Sequence, residues 1–237
     1  MADELTWWER LNPFQKKKND FDPSQYPSWY ADYHLAYQAP EKGNSTSEVC
    51  FTVFDTETTG LNPKTDRMLS IGAIKVSQQT LQITKSFQRF LNPELARRRT
   101  KAVPVHGLLP DSTWREYVTE EKALQDFLAF IGSDVLVAHH LHFDQTVIET
   151  GLNRVGAGKL RNLGIDTVQI AKKLQPAGYW SPDDAYTLDH LARRYTISLS
   201  DRHTSLGDSY ITGILLLKLT SRLAERKGRP LILSDLL

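Results

Sequence analysis

The stretch Val49-Cys-Phe-Thr-Val-Phe-Asp-Thr-Glu-Thr-Thr-Gly60 decides how this chain folds. Val49 to Asp55 is apolar and β-branched, the composition of a buried strand. Asp55 and Glu57 stand two residues apart at its end. Side chains alternate along a strand, so both carboxylates point to one face. Two carboxylates side by side repel, and a divalent cation between them removes that repulsion. The plainer reading of the pair is two acids that end a strand and face water. Thr58-Thr59-Gly60 adds a tight turn, two hydroxyls and accessible backbone amides beside the acids.

Working outward, Met68 to Val76 and Leu81 to Leu91 read as two further strands, joined by a turn at Ser77-Gln-Gln-Thr80. Three strands in succession predict an antiparallel meander. Helical spacing then takes over, with apolar residues at 124, 127, 128 and 131 in the segment Glu120 to Ile131. Val135 to Ala138 is a short apolar strand, and Phe143 to Leu152 reads as a helix. Asp166-Thr-Val-Gln169 has the capping-box pattern and opens a helix ending near Leu174. Thr187 to Tyr195 and Ser205 to Leu223 are two more helices. In the last, Leu206, Tyr210, Ile211, Ile214 and Leu215 are expected to face the sheet. Strands first, then strands and helices in alternation, make an α/β domain with a mixed sheet.

The flanks differ in character. Residues 1–47 hold three of the five tryptophans (Trp7, Trp8 and Trp29), the Lys16–Lys18 run and scattered prolines, without a periodic element. They read as an N-terminal extension that docks on the main domain or on a partner, with Glu41 to Ser47 as a linker. Residues 48–223 form the principal domain and 224–237 a C-terminal tail. Pro230 to Leu237 is apolar enough to dock elsewhere, but packing back on its own domain is the simpler expectation. The Arg97–Arg99 run reads equally as a solvated loop or as a phosphate contact.

Composition narrows the classes. The chain has 237 residues, 40% hydrophobic and 24% charged, enough for a real core. With 29 basic and 28 acidic residues, no excess of charge marks a nucleic-acid partner, although an acidic metal site beside a basic rim gives the same balance. Cys50 is the single cysteine, which excludes an internal disulfide and fits a reducing compartment. Met1 to Arg10 carries three acids where a leader would be apolar, and the longest apolar run, Ile214 to Leu217, is too short for a membrane span. A cytoplasmic protein is expected.

Two more constellations carry chemistry. In Val135-Leu-Val-Ala-His-His-Leu-His-Phe-Asp144 a buried strand exits into a loop and Asp144 opens a helix. Taken alone, Asp144 reads as an acid favoured by the helix dipole. His139, His140 and His142 suggest zinc, but their spacing has no partner ligands and Cys50 is the only thiol. In Arg202-His-Thr-Ser-Leu-Gly-Asp208 a loop histidine precedes a helix that carries an acid five residues on. That helix, packed on the sheet, brings Asp208 toward the strand ends. His203 alone reads as a surface residue.

In this order the three segments resemble the motifs of the DEDDh, or DnaQ-like, 3′→5′ exonucleases, a family that includes the epsilon proofreading subunit of bacterial DNA polymerase III. The resemblance covers roughly residues 49 to 220. Phe54-Asp-Thr-Glu-Thr-Thr-Gly60 matches the first motif, Val137-Ala-His with Phe143-Asp144 the second, and His203 with Asp208 the third. Val105-His-Gly-Leu108 is similar to a short segment between motifs. The sister subclass places tyrosine four residues before the last acid, where this chain has Thr204. The chain departs from the usual pattern at His140, where asparagine is common, at Leu141, where a small residue is common, and at Ser205, where alanine is usual.

The resemblance implies a ribonuclease-H-like α/β fold with a mixed five-stranded sheet flanked by helices. It implies that Asp55, Glu57, Asp144 and Asp208 hold two Mg²⁺ or Mn²⁺ ions and that His203 takes the proton from the attacking water. An imidazole, which titrates near neutrality, suits that task. Thr58, Thr59, Leu61 and His140 are the implied substrate contacts. The substrate is then a nucleic-acid 3′ end, single-stranded DNA first, releasing nucleoside 5′-monophosphates. RNA trimming of the oligoribonuclease type shares the same motifs. An inactive nucleic-acid-binding or scaffold module is the reading of another class, against which the intact acids and histidine argue. The chain carries no polymerase domain, so proofreading would need a DNA polymerase or another replication or repair partner.

Overall fold

Helix α1 (Ser28–Ala36) precedes the predicted meander, whose strands are β1 (Phe51–Thr58), β2 (Met68–Ser77) and β3 (Thr80–Leu91). There follow β4 (Tyr117–Val118), α2 (Glu120–Ile131), β5 (Val135–Ala138), α3 (Leu141–Arg154), β6 (Gly164–Asp166), α4 (Thr167–Lys173), α5 (Leu188–Arg194) and α6 (Ser205–Lys227). This computed structural model describes residues 21–91, 116–176 and 182–237. Trp7, Trp8, the Lys16–Lys18 and Arg97–Arg99 runs and Val105-His-Gly-Leu108 lie outside the described residues.

The sheet has the order β4-β3-β2-β1-β5-β6. β1 and β2, and β2 and β3, pair antiparallel, whereas β5 lies parallel to β1 and β6 parallel to β5. The sheet is mixed, as expected, and among the described residues it has six strands where five were expected. β4 is two residues long and β6 three, too short for alternation to show in a sequence. Both extend the sheet through a neighbour's register.

Each face carries its own core. Phe51 and Val53 of β1 and Ile74 and Val76 of β2 pack with α6, α5 and α4. Phe54, Ile71 and Ala73 pack on the other face with α2 and α3, where Phe54, Phe87 and Phe127 form a ring cluster. Helix α6 lies close over the sheet, so small residues set its buried face: Ser205, Ser209, Thr212 and Gly213 beside Ile211, Leu215, Leu216 and Leu219. Tyr210, expected to face the sheet, is 39% exposed instead. Its place is taken by the small residues, because an aromatic ring would hold the helix away.

The N-terminal segment contributes to the second core. Aromatic residues lie along α1 without amphipathic spacing, which is why the sequence pattern does not announce the helix. Tyr30 is 2% exposed and donates its hydroxyl to the Lys159 carbonyl at 2.8 Å. The Tyr33 hydroxyl donates to Asn162 Oδ1 at 2.5 Å and accepts from the Arg161 amide at 2.8 Å. Phe21 stacks on His34. At the other end Leu231, Leu233 and Leu236 are buried in the first core, and Leu233 and Ser234 donate backbone N–H groups to the Asn44 and Lys42 carbonyls. The polar stretch before β1 is thus held by the C-terminal segment.

Tyr30→Ala should lower stability by about 3–5 kcal/mol, the range for emptying a buried aromatic site. Tyr30→Phe, which only orphans the Lys159 carbonyl, should lose about 1–3 kcal/mol. Thermal unfolding measures both. An unchanged Tm for Tyr30→Ala would show that α1 does not hold the fold together.

Candidate active site

β5 pairs with β1 only from Phe51 to Val53, so past Val53 that side of β1 has no strand beside it among the described residues. Asp144, in the first turn of α3, fills the gap. Its Oδ1 accepts from the Thr56 amide at 2.9 Å and from the Thr56 hydroxyl at 2.6 Å. The side chain that alternates between Asp55 and Glu57 therefore anchors the third carboxylate. The register of β1 against β2 shifts between Glu57 and Thr58, a bulge that turns the end of the strand.

Asp208 arrives from the other face. Gly72 of β2 is the register partner of Asp55, and the first turn of α6 rests directly on it. A Cβ at Gly72 would lie 2.3 Å from the Leu206 amide nitrogen, so no other residue lets the helix approach this closely. Ser209 donates to the Gly72 carbonyl at 3.0 Å, and Ser205 pairs with Ser70 at 3.0 Å. That second bond is what the serine at 205 provides. Thr204 caps the helix by accepting from the Gly207 amide.

Carboxylate oxygens of Asp55, Glu57 and Asp208 come within 4.8 Å of one another, the one such group of metal-capable side chains among the described residues. Asp144 completes the lining of the same cavity, about 470 Å³ in volume. Burial, then Asp144, Asp208 and Glu57 in turn, hold the Asp55 carboxyl well above the usual carboxylate range. Burial pushes Asp144 up to about 7 against the bonds from Thr56, and burial pushes Asp208 up to about 6 against the pull of Arg202. Crowded oxygen donors of this kind suit a hard divalent cation, whose charge removes the strain of ionising them together.

The histidines divide. His139 is held between Thr167 Oγ1 and the Tyr186 carbonyl, each at 2.8 Å. The carbonyl only accepts, so Nε2 carries the proton and Nδ1 accepts from Thr167. Burial lowers this imidazole to about 4 and keeps it neutral. Its role is to tie the loop after β5 to the segment before α5. His140 is exposed at the rim with φ 63, its amide donating to Asp166 Oδ1 at 3.1 Å. Histidine is among the residues that enter this left-handed region more readily than most. His142 is exposed and, among the described residues, belongs to no cluster that could hold a metal. His203 is exposed at the cavity with φ 69, and its amide faces Asp208 Oδ1 at 3.4 Å.

Leu61, 92% exposed, and His140 line the cavity, but Thr58 and Thr59 do not. Both threonines are buried in the turn, Thr58 donating to the Gly60 carbonyl and Thr59 to Asp66, so their hydroxyls serve the turn. The structure adds Thr56, Phe143, Thr187, Leu188 and Arg202 to the lining. Thr56 could have been suspected from its place between the two acids. Arg202 could have been suspected from its place before His203.

The raised carboxyls make metal-free stability depend on pH. A group whose folded pKa is raised contributes stability that is present below its unfolded value, near 3.8, and is lost as pH rises through the folded value. Between pH 5 and 8 the Tm of chelated protein should therefore fall, and fall less in Asp208→Asn. Saturating Mn²⁺ should restore it at pH 8. A chelated Tm that climbs across that window would contradict this account of the cluster.

The sequence model of the exonuclease family designated RNase T matches residues 52–216. A PolC-type DNA polymerase III of Oceanobacillus iheyensis is 31% identical over 193 residues, covering 81% of this chain and 13% of that protein. The PolC-type polymerase of Halalkalibacterium halodurans is 32% identical over 176 residues, covering 74% of this chain and 12% of that one. The chain thus spans about an eighth of the length of these relatives. Among solved structures, E. coli exonuclease I in complex with a dT13 oligonucleotide superposes with a TM-score of 0.61 at 18% identity, covering 76% of this chain and 43% of that one. Its complex with a dA16 oligonucleotide gives 0.60 at 19%, covering 75% and 42%. That likeness is one of fold.

Proposed function

The chain belongs to the exonuclease family, and on that premise we propose that it hydrolyses the terminal phosphodiester bond at the 3′ end of single-stranded DNA, releasing nucleoside 5′-monophosphates one at a time. The observation that carries this reading is the convergence of Asp55, Glu57, Asp144 and Asp208 on one cavity beside an exposed histidine. Two Mg²⁺ or Mn²⁺ ions held by these four acids would supply charge neutralisation at phosphorus and an activated water. The protein's own part is geometric. The strand end fixes Asp55 and Glu57, Thr56 fixes Asp144, and the seat at Gly72 fixes Asp208. His203 takes the proton of the attacking water at a ring nitrogen, which its loop position leaves accessible. Leu61 and Phe143 offer apolar surface for the terminal base, with His140 at the rim.

DNA is favoured over RNA because the PolC-type relatives are DNA polymerases and the structures of like fold hold DNA oligonucleotides. The relatives also make a DNA polymerase the partner we propose. Among the described residues no helix is long and apolar enough to cross a membrane. Burial pushes the Cys50 thiol up to about 11, which disfavours the thiolate, and we propose the cytoplasm as the protein's compartment. Incubation with matched DNA and RNA strands labelled at the 5′ end tests this reading. A ladder shortening stepwise, faster on DNA, is expected. Immediate release of a labelled mononucleotide would establish the opposite polarity, and faster loss of RNA would move the substrate class.

A further inference from the structure

Arg202 sits where a cation belongs. Its Nη1 donates to Asp208 Oδ2 inside the acidic cavity, and its Nε donates to Asp189 Oδ1 at 2.5 Å. Asp189 lies in the first turn of α5, outside the carboxylate cluster, and Arg193 approaches its other oxygen at 3.8 Å. The guanidinium is therefore tethered at one end and engaged with Asp208 at the other. The same Nη1 lies 3.4 Å from His203 Nδ1, so this one side chain touches both the last acid and the adjacent histidine.

We propose that Arg202 is a positioning residue that acts as an internal cation, tethered by Asp189, which a divalent metal must draw off Asp208 before the site is competent. This rests on the reading above that Asp208 is a metal ligand. A guanidinium keeps its proton, so it cannot yield by neutralising itself. It and a metal ion repel each other across a largely buried carboxylate, where the interaction is poorly screened. Asp189 decides how firmly Arg202 competes. While the tether holds, part of the guanidinium's charge is satisfied away from Asp208. Without the tether, all of it falls on Asp208. The same contact keeps the His203 loop against the acids in the metal-free protein, and it spares Asp208 the full repulsion of its neighbours.

The two ends of the tether predict opposite shifts, which a merely structural role does not. Calorimetric titration of Mn²⁺ into the metal-stripped full chain should show Arg202→Gln binding at least about fivefold more tightly than wild type, the lower range of site-to-site coupling. Asp189→Asn should bind more weakly by a similar factor. Thermal unfolding in chelator confirms that each variant is folded. If Arg202→Gln fails to fold, Asp189→Asn still decides: affinity equal to or tighter than wild type overturns the proposal. Unchanged or weakened binding by a folded Arg202→Gln overturns it too. Wild-type protein that takes up no Mn²⁺ removes the metal-site reading itself, whereas wild-type binding with unshifted variants removes only the role of Arg202.

Discussion

Asp55→Ala protein, purified and assayed in saturating Mg²⁺, will be folded and will lose at least about 10³-fold in nuclease rate, the equivalent of the several kcal/mol that bound metal contributes to a phosphoryl transition state. Asp55 is the acid the other three bear on, since Asp144, Asp208 and Glu57 all raise it. Its removal relieves repulsion, so the variant's Tm in chelator should equal or exceed that of wild type. Asp208→Ala should be as inactive, but its stability gain is smaller because Arg202 loses a partner. Asp144→Ala differs again. It leaves the Thr56 amide and hydroxyl without the acceptor they now share, which costs about 1–3 kcal/mol. The three variants are thus separable by stability even though all three are silent in activity. An Asp55→Ala enzyme within tenfold of wild type would dismiss the carboxylate cluster as the seat of the chemistry.

What the sequence made legible follows from the reach of each interaction. Asp55 and Glu57 share a face because alternation along a strand is local, and the structure keeps them together. The meander and the helices from Glu120 onward could be read for the same reason. Asp144 looked like any helix-opening acid, because the group that anchors it, Thr56, is 88 residues away. The seat of α6 on Gly72 joins segments more than 130 residues apart, and nothing local marks that glycine. Helix α1 escaped notice because it docks through aromatic hydroxyls and ring contacts on several sides instead of a single apolar stripe. The resemblance implied substrate contacts at Thr58 and Thr59, and the turn they close with Gly60 and Asp66 uses their hydroxyls. Motif chemistry is written locally, while the packing that aims it is not.

His203→Ala should lose about 10²–10⁴-fold in rate, the contribution of a positioned general base, while Mn²⁺ and DNA affinity stay near wild type. Metal affinity survives because the acids hold their places without the imidazole: Asp144 through Thr56, and Asp208 through the seat of α6 on Gly72. The pH profile separates a base from a mere contact. Wild-type rate at saturating metal should fall on the acid side, and the residual rate of the variant should lack that limb. The other histidines are controls with distinct expected failures. His139 has both ring nitrogens committed, to Thr167 and to the Tyr186 carbonyl, so His139→Ala should lower Tm without removing the acid limb. His142→Ala should do neither, since the ring is exposed and away from the cavity lining. His140 lines the cavity opposite this logic, exposed and near the second motif. If His140→Ala abolishes turnover and the acid limb while His203→Ala keeps both, the base belongs to the loop after β5, and the loop before α6 only frames the site.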